Sequence, residues 1–203
     1  MAIVTASAVV TSTCFHACIL KDSEVLRKEI PGLDRFKTAA QKNSNRWFDS
    51  NVKFLPAAGA GVVQIYDPET KSFIDHPESD PDDDIIVDVF GPFAYFLATV
   101  NADRLEPTFR IAPCSSDIPP TEATFDVIIV RPLRNPKITM DSSEARDAFV
   151  PALWAVMNAA YQNGDHVNLR YQEDGSISVG GDGPLVVEYI RCGGWEWTPV
   201  RFP

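Results

Sequence analysis

The sequence predicts an α+β fold, an antiparallel β-sandwich with two or three helices packed to one side. Three observations carry that expectation. About ten short runs rich in β-branched and aromatic residues are separated by Pro, Gly and Asp, as strands and their turns are. Only three stretches carry helix signals, a capping residue followed by an apolar stripe. Strands and helices do not alternate, which argues against parallel βαβ sheets and for antiparallel ones. No internal repeat and no dividing linker interrupts the chain, so residues 1–203 read as one domain. A chain of 203 residues with 45% hydrophobic and 23% charged residues has ordinary globular composition. At that length it buries roughly 70% of its unfolded surface and needs no staples.

The elements follow in order. Residues 2–12 (AIVTASAVVTS) suit a buried strand, and 13–20 (TCFHACIL) extend it or turn out of it. Asp22 and Ser23 read as the N-cap of a short helix, SEVLRKE, which Pro31-Gly32 breaks. Asp34 caps a second helix running to about Phe48, with Leu33, Phe36, Ala40 and Trp47 as its apolar stripe and Lys37, Lys42 and Arg46 outside. NVKFLP, GVVQIYD, KSFID, DIIVDVF and FAYFLATV then read as short strands, and TFRIAP and FDVIIVRPL as two more. HPESDPDDD (76–84) reads as a solvated acidic loop. Residues 142–161 read as a third helix, capped by Ser142 or Ser143, which Pro151 must kink or split and Asn163-Gly164 ends. HVNLRYQ, GSISVGG, LVVEYIR and WEWTPVRF supply a terminal set of strands, with a hairpin turn at Asp174-Gly175.

Charge and composition narrow the function. Lys+Arg number 18 and Asp+Glu 28, a net charge of −10. That balance repels nucleic acid and anionic membrane surfaces, although a local basic patch is compatible with it. No apolar run approaches the ~20 residues of a membrane span. The amino end has no basic region ahead of its apolar stretch, so it reads as a strand and not as a signal peptide. Cys14, Cys18, Cys114 and Cys192 are therefore expected reduced, in a cytoplasmic protein.

The motifs for nucleotide, zinc-protease and serine-hydrolase chemistry are absent. GGDGP (180–184) reads as a tight turn between strands, because no helix follows to offer its N–H groups to a phosphate. Cys14, His16 and Cys18 lie two apart, which on a strand puts all three on one face, opposite Phe15 and Ala17. Zinc pairs usually come as C-x₂₋₄-C with a second, distant pair, so no metal and no cofactor is expected. The better use of this segment is to line a cavity, with His16 as a polar point and candidate proton-transfer group. Asp22, Glu24 and Tyr95 are the next polar candidates should His16 face elsewhere. Arg27 and Arg35 bracket the break between the first two helices, and two neighbouring guanidinium groups can fork phosphate oxygens.

The segment CFHACILKDSEVLRKEIPGLDRF (14–36), through Phe15, Ser23, Glu24, Arg27, Gly32, Arg35 and Phe36, resembles the diacylglycerol kinase and sphingoid-base kinase superfamily. The run 93–133, NGDHVNLRY (163–171) and GGDGP are similar to later segments of the same family in the same order. The terminal EYIRCGGWEWTP is similar to its fungal branch. The resemblance covers only the family's C-terminal, β-sandwich half. The N-terminal nucleotide-binding half, with its Gly-Gly-Asp-Gly-Thr segment, has no counterpart in these residues. It implies a lipid pocket in this half and phosphate contacts at Arg27 and Arg35. The family's ATP-contacting acid is replaced by Pro184, and its sphingoid-binding acid by Cys18 or Leu20.

The expectation that follows is a stand-alone lipid-kinase-like C-terminal domain. It binds a hydrophobic small molecule or lipid in an apolar pocket lined by Phe15, Cys18, Ile19, Leu20, Phe36, Trp154 and Met157. It is not an ATP-dependent kinase by itself, since phosphoryl transfer needs a phosphate cradle, Mg²⁺ ligands and a base in one site. Two alternatives stay open. One is a cofactor-free cyclase or isomerase that uses the same pocket, with His16 as its acid or base. The other is a fragment or subunit of a lipid kinase, joined by a separate nucleotide-binding subunit or by a second copy of itself.

Overall fold

The computed structural model describes residues 9–80, 82 and 85–200. The fold is α+β and antiparallel throughout. Strands β1 (Val10–Thr13), β3 (Gln64–Asp67), β4 (Ser72–Asp75), β6 (Tyr95–Thr99), β7 (Phe125–Val130) and β10 (Glu188–Cys192) form a six-stranded sheet in the order β1-β6-β7-β10-β3-β4. Strands β2 (Ser50–Leu55), β5 (Val87–Phe90) and β11 (Gly194–Pro199) form a second sheet, ordered β11-β2-β5. Strands β8 (Leu169–Tyr171) and β9 (Ile177–Val179) pair as a hairpin. Gly175 turns it with φ +82°, a conformation that glycine adopts at no steric cost.

The period-two alternation of the central strands sorts the core into two layers. Phe96, Ala98, Val127, Ile129 and Ile190 face the small sheet and meet Val52, Phe54, Val87 and Val89. Trp195 and Trp197 close that layer, with ring centroids 5.1 and 4.9 Å from Phe96. Tyr95, Leu97, Ile128, Val130 and Tyr189 face the other way, onto the helices. Strands β6 and β10 are buried at every position because both faces are covered. The helices on that second face are α1 (Cys14–Leu26), α2 (Asp34–Asn43) and α4 (Ser143–Tyr161). A single-turn α3 (Cys114–Asp117) lies between β6 and β7 in the chain.

The main correction concerns residues 13–26. The N-terminal strand ends at Thr13, and α1 begins at Cys14, with no loop between them. Residues 2–8 of the predicted strand lie outside the described residues, as do Arg201 and Phe202 of the last. One left-handed residue, Cys14 at φ +60°, makes the turn. Asp22 and Ser23 are therefore inside a helix and not at its N-cap, and the Ser23 hydroxyl donates back to the Leu20 carbonyl at 2.9 Å. α2 stops at Asn43, short of Phe48; Asn43 turns its amide to Asp22 and ties α1 to α2 at 3.0 Å.

One further expectation changes. TFRIAP forms no strand and runs as a loop. Helix α4 passes through Pro151 without splitting. Pro151 and Asp147 are both on the exposed side, so the carbonyl left without its N–H partner faces water. Ser142 caps α4 as expected, accepting the Ala145 N–H at 3.2 Å. Among the described residues no helix is long and apolar enough to cross a membrane.

Candidate functional site

The strand-to-helix junction decides what faces what. On a strand, His16 would share a face with Cys14 and Cys18. On a helix, positions i and i+4 align and i+2 points nearly opposite. Phe15, His16, Ile19 and Leu20 thus form one face of α1, and Cys14, Ala17 and Cys18 another. The first face overlies a cavity of about 330 Å³. The second borders a separate groove with Lys21, Arg46 and Trp197.

Four elements close the cavity. α1 contributes Phe15, Ile19 and Leu20, and α2 contributes Phe36 and Ala40. α4 supplies Trp154, Met157 and Tyr161, and the loop after β6 supplies Leu105 and Phe109. Phe15 and Trp154 meet edge to face at 6.0 Å, and Phe109 and Tyr161 at 4.8 Å, tilted. Aromatic pairs of this kind hold walls in fixed orientation. Tyr95, on β6, forms the floor.

Polar groups are few. His16 shares a hydrogen bond of 2.8 Å between its Nδ1 and the Ser12 hydroxyl, and its ring borders the cavity. Burial pulls its pKa below the usual 6.5, against the charge of Glu106, so the ring is neutral at physiological pH. Glu106 accepts a hydrogen bond from the Tyr161 hydroxyl at 3.3 Å, and Lys37 completes the rim.

The loop from Val100 to Pro113 is held by ion pairs. Arg110 reaches Asp103 at 3.1 Å and Asp117 at 2.6 Å, and Arg104 reaches Asp103 at 2.8 Å. The hydrogen bonds from Arg104 and Arg110 hold the Asp103 carboxyl well below the usual carboxylate range. Behind the loop, Gly164 leaves no room for a side chain: a Cβ there would stand 2.8 Å from Pro113.

The remaining candidates fall as follows. Of the seven residues expected to bind ligand, Phe15, Ile19, Leu20, Phe36, Trp154 and Met157 meet around the cavity, and Cys18 lies outside it for the helical reason given. Glu24 forms an exposed pair with Arg27 at 2.8 Å. Arg35 donates to the Gly32 carbonyl and stacks over Phe36 at 4.6 Å. Each arginine thus makes its own local contacts, with no group shared between them in those contacts. The other two histidines, His76 and His166, are buried and line neither space, and among the described residues no cluster of three or more His, Cys, Asp or Glu is placed to hold a metal. Burial pushes the thiols of Cys14, Cys114 and Cys192 up to about 12, which leaves them protonated and unreactive at neutral pH.

Sequence reasoning missed Leu105, Glu106, Phe109 and Tyr161. Tyr161 sits four residues after Met157 and seven after Trp154 on α4, so helical spacing was a usable signal for it. Phe109 had none, because TFRIAP (108–113) carries a strand's composition while serving as a cavity wall, and Leu105 and Glu106 lie just ahead of it in the same loop. No protein-family model matches the chain, and no curated protein matches its sequence.

Proposed function

We propose that this domain binds an apolar small molecule in the cavity between α1, α2, α4 and the sheet. One observation carries the reading. An aromatic and aliphatic enclosure of about 330 Å³, within the range of small-ligand pockets, opens at a rim bearing only a few polar groups. The lipid-kinase superfamily that residues 14–36 resemble holds its lipid in the corresponding half, which supports the same assignment. A neutral fluorescent probe, N-phenyl-1-naphthylamine, tests it. The expected result is saturable binding of one probe per chain, weakened at least about tenfold by Ile19→Trp, which fills the cavity from a half-buried position. Probe binding that is non-saturable, or unchanged in a folded Ile19→Trp variant, refutes the reading.

A second reading has its own observation. His16 borders the cavity as a neutral base, oriented through Ser12, with Glu106 close enough to influence its charge. That is the arrangement a proton transfer on a bound apolar substrate requires. The reaction class it fits is a cofactor-free isomerisation or cyclisation.

A further inference from the structure

The groove on the other face of α1 differs from the cavity in its charge. It has a volume of about 520 Å³, and Cys18, Lys21, Arg46, Phe48, Asp49 and Trp197 border it. Lys21 and Arg46 are exposed and form no ion pair among the described residues. Among the described arginines only Arg35 and Arg46 lack a carboxylate partner, and Arg35 gives its guanidinium to the Gly32 carbonyl. Arg46 is held without being neutralised: its Nη1 donates to the Asn43 side-chain oxygen at 3.0 Å, and its guanidinium lies 5.5 Å from the centre of the Phe48 ring. Asp22, behind the groove, is already tied to Lys42 at 3.4 Å and to Asn43 at 3.0 Å. The lining itself thus carries two cations and one acid, Asp49, on a chain of net charge −10.

The two cations also converge. Burial raises the pKa of the Cys18 thiol; Arg46 pulls it back, Asp22 adds to the rise, and Lys21 pulls it back again, so both cations act on one atom of the groove. The aromatic wall is fixed, because Trp197 packs 5.1 Å from Phe93 and 4.9 Å from Phe96 while staying half-buried. Cations without a protein carboxylate keep their attraction for an external anion, and a half-buried indole offers apolar area to a planar ring. We infer that this groove is a second binding site, for a flat aromatic acid whose ring lies against Trp197 and whose carboxylate or sulfonate is held by Lys21 and Arg46. The site is separate from the cavity and does not depend on the cavity's being a binding site.

The test uses a matched pair of dyes. 8-Anilino-1-naphthalenesulfonate is N-phenyl-1-naphthylamine with a sulfonate added, so the pair differs chiefly in charge. Both are titrated into the wild type, Lys21→Gln and Arg46→Gln, and Cys18 labelling by N-ethylmaleimide reports whether the groove is filled. The sulfonate should protect Cys18 saturably, about three- to tenfold less tightly in either variant, and less tightly as salt is added. The neutral dye should neither protect Cys18 nor distinguish the three proteins. Sodium sulfate, which has the charge and no ring, should displace the sulfonate dye no better than sodium chloride of equal ionic strength. If the sulfonate leaves Cys18 labelling unchanged, or protects it equally in folded Lys21→Gln and Arg46→Gln, the inference fails. Displacement by sulfate beyond its ionic strength would overturn the aromatic part of it. Failure of the neutral dye to saturate on the wild type would count against the cavity alone.

Discussion

Lowering the pH from 7 to 4.5 should destabilise this fold in a way traceable to one side chain. His166 is fully buried, and its Nε2 lies 3.0 Å from the Ile111 carbonyl. Burial lowers its pKa from 6.5 to about 4, more than the Ile111 and Gly164 carbonyls raise it. Above pH 6.5 the ring is neutral in both the folded and the unfolded chain and contributes nothing. Below 6.5 the unfolded chain takes up a proton that the folded chain refuses until about pH 4, so stability falls across that window and levels off beneath it. At 1.36 kcal/mol per unit the full loss is roughly 3 kcal/mol, most of it felt by pH 4.5. For a chain of this length that is a fall in melting temperature of about 5–10 °C. His16 and His76 are also shifted down by burial and add to the fall in the same direction. The assay is a melting series from pH 7.5 to 4.5 on the wild type and on His166→Gln, whose amide can still donate to Ile111. The variant should lose the His166 share of the slope. An unchanged slope would refute the burial argument. The effect reaches the candidate site as well, since His166 anchors the loop whose Leu105 and Phe109 wall the cavity.

Arg110→Ala should release that loop: its side chain is 11% exposed and bridges Asp103 and Asp117, so we expect about 1.5–3 kcal/mol of lost stability and weaker dye binding. A melt and a titration that both match wild type would show that the loop is held by other contacts. Thiol labelling with Ellman's reagent should find one accessible cysteine, Cys18, in the native protein and four in urea, because Cys14, Cys114 and Cys192 are buried. Fast reaction of a second thiol in the folded state would contradict the burial described. His16→Ala separates the two functional readings. It should slow turnover about 10²–10⁴-fold if the cavity is catalytic, yet change dye affinity by no more than about tenfold.

What the sequence revealed, and what it hid, divides along the range of the interactions. The central strands were legible because both faces of β6 and β7 are buried, and buried strands read as nearly continuous apolar runs. The hairpin at Asp174-Gly175 and the Ser142 cap were legible because each is decided within four residues. The junction at Cys14 was not. TCFHACIL is as apolar as the strand before it, and nothing local marks the left-handed residue that turns strand into helix. Pairing with β6 fixes that point from outside: Thr13 lies opposite Phe96, and the Phe15 N–H bonds the Ala94 carbonyl at 3.2 Å. The same limit hid the wall formed by residues 105–109, whose place is set by Arg110 and its acidic partners.

That junction also explains why the cavity lies where it does. Because α1 leaves β1 without a loop, its first turn is pinned over β6, and Phe15 has no freedom to slide along the sheet. Trp154 meets it edge-on at 6.0 Å, which props α4 away from α1 at this level. α2, tied to α1 through Asn43 and Asp22, brings Phe36 and the small Ala40 to the gap and fills it only in part. Three contacts thus border the space: the β1–α1 junction, the Phe15–Trp154 pair and the Asn43–Asp22 hydrogen bond. If the domain binds an apolar molecule there, as proposed, walls already in place before binding lower the cost of ordering them. Its binding should appear as added stability by mass action, about 2.7 kcal/mol at a hundredfold excess over the dissociation constant. Cutting the α1–α2 tie with Asn43→Ala should shrink that ligand-dependent gain more than it alters the unliganded melt.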